Sequence, residues 1–89
     1  MNFGEALEEL KQGNCVALKG WNGKGIFIKL KKVESLNTPN NCFNEVMTHD
    51  FIYIDTTGLH TDNPNAPMDR VPWLASQTDM LADDWVVVE

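Results

Sequence analysis

Cysteine is scarce in this chain. Cys15 and Cys42 are the two present, and neither belongs to a Cys-x-x-Cys pair. So placed, both read as small buried apolar residues in a reducing compartment rather than as a disulfide. Long apolar runs are missing as well: nothing approaches the ~20 residues needed to span a bilayer. The opening Met-Asn-Phe-Gly-Glu turns acidic early and has no signal-peptide core. A cytoplasmic protein without a membrane partner is the expectation. Positive charge is sparse, with Lys+Arg 7 against Asp+Glu 13 and a net charge of −6. That balance argues against DNA or RNA polymers as partners. Gly-x-Ser-x-Gly, a Walker-type loop and a dinucleotide fingerprint are all absent.

What is present points to one small domain over residues 1–89, with an ordinary hydrophobic share of 43%. A domain of this size buries only roughly 60% of its unfolded surface and is marginal alone. Self-association is a common remedy, so a homo-oligomer is expected. The few cations are unevenly placed. Between Leu10 and Val33 there is no Asp or Glu, yet Lys11, Lys19, Lys24, Lys29, Lys31 and Lys32 all fall there; Arg70 is the remaining positive residue. Such a strip can blunt a solvated strand edge. It can equally draw a small anion to an otherwise acidic protein.

The expected fold class is α+β: a small, mostly antiparallel sheet, an N-terminal helix docked on it, and a short C-terminal helix before the last strand. Phe3, Ala6, Leu7 and Leu10 recur at helical spacing, Asn2 and Glu5 form a capping-box pattern, and Gly13-Asn14 offers a left-handed stop. Residues 15–18 read as a strand, residues 20–25 as a glycine-rich turn, and residues 26–33 as a second strand of a hairpin. In that second strand Ile26, Ile28 and Leu30 point one way, and Phe27, Lys29 and Lys31 the other. Residues 51–54 read as a third strand and residues 55–70 as a long polar loop. Ser76 and Asp79 form another capping-box pattern, and the strand from Trp85 to Val88 closes the sheet.

The chemistry of the side chains favours binding over catalysis. His49-Asp50 and His60-x-Asp62 sit in polar loops at no recognised ligand spacing, so neither a catalytic pair nor a metal set is expected. Asp83 and Asp84 are neighbours that point in different directions and read as the end of a helix. Three tryptophans in 89 residues are a strong signal. Trp85 opens an apolar strand and suits the core. Trp21 lies at a hairpin tip among Gly and Asn, a poor place for a core residue, so covering it calls for another subunit or a ligand. As a stacking platform for a base it would contribute roughly 1–3 kcal/mol. Asn22 could read a base edge, and Lys24 is the best placed cation for a phosphate. Pro72 and Trp73 offer a second flat surface, followed by Ser76, Gln77, Thr78 and Asp79 with donors and acceptors for hydroxyls or an anion. For Ser76 and Asp79 a helix cap and a ligand contact are both open readings.

Taken together, Met1-Asn2-Phe3-Gly4-Glu5-Ala6-Leu7, the Gly-Trp-Asn-Gly-Lys-Gly run and the block from Pro72 to Trp85 resemble the phage-encoded Thoeris anti-defence type-two family. The resemblance covers the first 30 and the last 19 residues; residues 34 to 70 match no motif. It implies a homotetrameric sponge, with pockets between subunits, that binds cyclic ADP-ribose isomers and holds them without cleavage, so that the bacterial effector stays inactive. Some members also take cyclic dinucleotides or cyclic oligonucleotides. Carried onto this chain, Trp21 or Trp73 would stack on adenine. Asn22, Ser76, Gln77, Thr78 and Asp79 would read edges and hydroxyls, and Lys24 with Arg70 would meet the pyrophosphate. No cofactor is implied, and the site of action would be the host bacterial cytoplasm. Two competing readings are a nucleotide-degrading enzyme using Asp79 or the histidines, and a protein adaptor with Trp21 and Trp73 as hot spots.

Overall fold

The computed structural model describes residues 1–21, 25–33, 47–59, 63–66 and 68–88. Helix α1 spans Phe3–Lys11. Its start is set by a reciprocal cap: the Asn2 side chain accepts from the Glu5 amide at 2.8 Å, and the Glu5 carboxylate accepts from the Asn2 amide at 3.0 Å. Such a cap stabilises a helix by about 1 kcal/mol. Gly13 ends it with φ +93°, and the Asn14 amide turns back onto the Glu9 carbonyl at 3.0 Å. A Cβ at Gly13 would meet open space, so the glycine is required by its backbone angle and not by crowding.

Five strands follow: β1 Cys15–Leu18, β2 Phe27–Lys31, β3 Phe51–Asp55, β4 Arg70–Pro72 and β5 Trp85–Val88, with a short helix α2 (Gln77–Leu81) before β5. They form one sheet in the order β4-β3-β2-β1-β5, with antiparallel neighbours throughout. This is the α+β arrangement expected from the sequence.

The register sorts the side chains by face. Val16 pairs with Ile28, Ile28 with Ile54, Leu30 with Ile52, and Leu18 with Trp85. Directly paired residues project to the same side of a sheet. This side is covered by α1, whose Ala6 and Leu10 are buried with Val16, Ile28 and Trp85. The alternate residues, including Phe27, Lys29, Lys31, Phe51 and Tyr53, lie on the opposite face.

Besides the start of β2 at Phe27 rather than Ile26, three boundaries differ from the sequence reading. The polar stretch read as a loop over residues 55–70 ends in a strand, β4. Its three residues include a charge and a proline, too short for an alternating signal, and an edge strand accepts Pro72 because one side needs no donor. Strand β2 stops at Lys31 rather than Val33 because the Val33 amide donates to the Asp50 carboxylate at 2.7 Å instead of to a ladder partner. Strand β3 continues one residue further, to Asp55.

Asp55 is buried, at 3% relative exposure. One carboxylate oxygen accepts from the Thr57 amide at 2.8 Å and the Thr57 hydroxyl at 2.6 Å; the other accepts from Arg70 Nε at 2.7 Å. Thr57 first, and then Arg70, hold the carboxyl below its ordinary value of 3.8 against the opposing effect of burial. Asp50 is lowered too, chiefly by the Val33 amide. A carboxyl depressed in the folded state binds fewer protons there than in the unfolded chain, so its contribution is full above the unfolded value. That contribution is lost as pH falls through the lower, folded value. Chemical denaturation midpoints should therefore be flat from neutral pH to about 4 as far as these carboxyls are concerned, and then drop. In Asp55→Asn part of that acid-side drop should disappear, as urea titrations across pH 2–6 would show.

Candidate functional site

The turn after β1 is tied to the segment that leads into β5. The Lys19 amide donates to the Asp84 carbonyl at 3.2 Å, and the Gly20 amide to the Asp84 carboxylate at 3.1 Å. The Trp21 amide then reaches back to the Leu18 carbonyl at 3.2 Å, folding the chain inward. As a result the Trp21 indole lies against Trp85, with centroids 5.5 Å apart and planes at 81°. The expectation that Trp21 needs a second subunit or a ligand for cover is thus corrected. It is half-buried within its own chain because the turn folds over the core rather than projecting from it.

Trp73 reaches the same place from the other edge of the sheet. Its amide donates to the Ile52 carbonyl at 2.9 Å, which prolongs the β3–β4 pairing by one residue. Its ring meets Trp85 at 5.9 Å and 86°, and Phe3 of α1 at 5.9 Å and 51°. Phe3 also touches Trp85, at 5.5 Å. Trp85 itself is 0% exposed, and its indole N–H donates to the Asp79 carbonyl at 3.0 Å. Edge-to-face geometry matters here. A T-shaped contact with Trp85 can occupy at most one broad face of Trp21 and one of Trp73, and both residues remain half-exposed.

Helix α2 adjoins this cluster through Asp79. The capping box is made: Ser76 Oγ accepts from the Asp79 amide at 3.1 Å, and the Asp79 carboxylate accepts from the Ser76 amide at 3.1 Å. Thr78 Oγ1 lies 2.9 Å from Ser76 Oγ. Ser76 and Asp79 therefore shape the loop, while Gln77 and Thr78 are exposed beside them. The fold gathers Trp21, Trp73 and the Ser76–Asp79 segment around Trp85. Asn22 and Lys24, also expected at the site, lie outside the described residues. Arg70 is placed on the opposite face of the sheet, bonded to Asp55. Sequence reasoning did not find two supporting residues. Phe3 reads only as part of a helical stripe, and Asp84 only as a helix end. Each owes its role to a contact with residues distant in sequence.

Other candidates for chemistry are thin. His49 is exposed, and its neighbour Asp50 is engaged by Val33 and by Lys32 at 3.5 Å. His60 and Asp62 lie outside the described residues, as does Cys42; Cys15 is a half-buried free thiol. Among the described residues no three His, Cys, Asp or Glu side chains group to hold a metal, and no helix is long and apolar enough to cross a membrane. A concavity of about 440 Å³ does occur, but its lining includes Phe51, Tyr53 and Arg70 of the outer face, not the tryptophans.

The chain matches the family model of the Thoeris anti-defense 2-like domain over residues 1–88. The chain belongs to that family. Thoeris anti-defense 2 of Bacillus phage SP01 is 41% identical over 95 aligned positions, which cover 99% of this chain and 94% of that protein. For a Thoeris anti-defense 2-like chain the membership extends further than the motifs. It runs through residues 34 to 70, where no motif was legible, and so takes in β3 and β4 together with the tryptophan segments.

Proposed function

We propose that this chain, acting as one domain, is a phage protein that counters the Thoeris defence of its host by sequestering a cyclic ADP-ribose-type signal without cleaving it. The observation that carries this reading is the convergence of Trp21, Trp73 and the Ser76–Asp79 segment on Trp85. Two half-exposed indoles beside a polar helix opening suit a ligand with a base to stack and ribose hydroxyls to bond. Asn22 and Lys24, next in the chain after Trp21, would read the base edge and meet the pyrophosphate. Family membership and the name of the phage relative support the anti-defence role.

A sponge competes stoichiometrically with a receptor, so it must bind tightly; a nanomolar site needs about −12 kcal/mol. Two stacks and several charge-assisted bonds reach that range when the pocket is rigid beforehand. Joining subunits, as in a tetramer, would complete the walls. Exposed Leu74 (90%) and Leu81 (81%), on either side of the Ser76–Asp79 segment, support self-association there. The alternative ligand is a cyclic dinucleotide or cyclic oligonucleotide of another defence system, which offers the same bases to stack and phosphates to neutralise. The protein would act in the host cytoplasm.

The test uses the purified protein and a glycosidically cyclised ADP-ribose isomer. Free ligand should fall in proportion to protein added, and heating should return it with unchanged mass. Recovery of a cleaved product, or consumption beyond one ligand per site, would reject sequestration in favour of an enzyme.

A further inference from the structure

The face of the sheet turned away from α1 carries a feature that the tryptophan cluster does not use. Lys31 pairs with Phe51, Tyr53 with Pro72, and Asp55 with Arg70. These side chains share a face, opposite to Ile28, Leu30, Ile52 and Ile54. Lys31, Phe51, Tyr53, Arg70 and Pro72 are among the residues that line the concavity of about 440 Å³. That volume falls in the ~300–1,000 Å³ range of small-ligand sites.

Arg70 is held there in an unusual way. Its side chain is 65% exposed, yet its Nε donates at 2.7 Å to a carboxylate that is 5% exposed. The other oxygen of Asp55 is already taken by Thr57. The arginine is thus anchored through one of its five donors, and those on Nη1 and Nη2 have no partner among the described residues. A guanidinium held in this way presents a fixed planar fork of the kind that takes a carboxylate or phosphate. Asp55 offsets part of its charge, so selectivity rests on the geometry of the fork. The walls are of another character: two aromatic rings at strand spacing, Phe51 and Tyr53, with Pro72 opposite Tyr53. A bare anion would leave those walls wet. A neutral ring would cover the arginine donors without pairing them, which is costly.

We propose that this concavity is a second ligand site, separate from the tryptophan cluster, for a planar ring bearing a carboxylate or a phosphate. The ring lies against Phe51, Tyr53 and Pro72, and the anion on the Nη pair of Arg70.

The test is an amide-resolved NMR titration of the full chain with phenyl phosphate and with benzoate, set against inorganic phosphate and benzyl alcohol. At least one ring-bearing anion should shift the Phe51, Tyr53 and Arg70 amides saturably, with a Kd at least tenfold below those of both single-feature controls. The Trp21 and Trp73 indole N–H signals should stay in place. Which of the two anions wins assigns phosphate or carboxylate. Arg70→Gln should raise the Kd tenfold or more, and Arg70→Lys, which keeps charge without the fork, should recover little of it. Should either variant unfold, the shift map of the unaltered protein still decides. No saturation with either ring-bearing anion would overturn the site, as would inorganic phosphate binding equally well. So would shifts centred on the tryptophans, or a face already covered by a second copy at working concentration. None of these outcomes depends on whether the tryptophan cluster captures a cyclic nucleotide.

Discussion

Trp85→Ala should leave this domain largely unfolded at physiological temperature. The side chain is fully buried, it is the largest of the buried residues, and it touches Phe3, Trp21 and Trp73 at ring distances of 5.5 to 5.9 Å. Truncating a core tryptophan typically costs about 3–5 kcal/mol. A small domain has only about 5–15 kcal/mol in total, and one of this length sits at the low end. The loss here is compounded because Trp85 is a hub. Without it the aromatic rings from α1, the β1–β2 turn and the segment after β4 lose their common contact, and the Asp79 carbonyl loses the indole donor. Thermal melts by circular dichroism would measure the effect. Trp85→Phe, which keeps an aromatic ring but removes the donor, should fall between. An unchanged melting temperature in Trp85→Ala would show that the core is not organised around this ring.

Trp73→Ala should weaken capture of the cyclic ADP-ribose isomer by roughly five- to 150-fold, the range set by about 1–3 kcal/mol for loss of one base-stacking platform. The argument rests on exposure and geometry. Trp73 is half-buried, and its T-shaped contact with Trp85 leaves at least one broad face unoccupied by that ring. Because Trp73 also packs on Phe3, the variant should lose some stability, though less than Trp85→Ala. Affinity measured by calorimetry well below the variant's melting temperature separates the two effects. Trp73→Phe offers a smaller stacking surface and should recover part of the binding. Equal ligand affinity in Trp73→Ala and the parent protein would remove Trp73 from the site.

Much of the fold was legible because it is locally determined. The Asn2–Glu5 and Ser76–Asp79 caps close within a single turn, so their spacing in sequence is already their geometry. Alternation along residues 26–31 states which side chains share a face, whatever the sheet order turns out to be. By the same token β4 was hidden: Arg70-Val71-Pro72 is extended only because β3 offers it an edge. The site divides in the same way. Trp21 and Trp73 stand out in the sequence as aromatic residues in unusual surroundings, but Trp21 was read as projecting from a hairpin tip when the turn, held by Asp84, folds it onto Trp85.

By itself, then, the sequence determined the caps, the strand faces, the scarcity of cations and the two tryptophan segments, since each depends on residues within one turn or one strand of each other. Only the tertiary structure decided that those segments meet on one buried indole, and that Arg70 turns from them to the opposite face under the hold of Asp55. Those outcomes follow from strand order and register. Both are set by which apolar faces can be buried together across the whole chain, a balance that no local stretch contains.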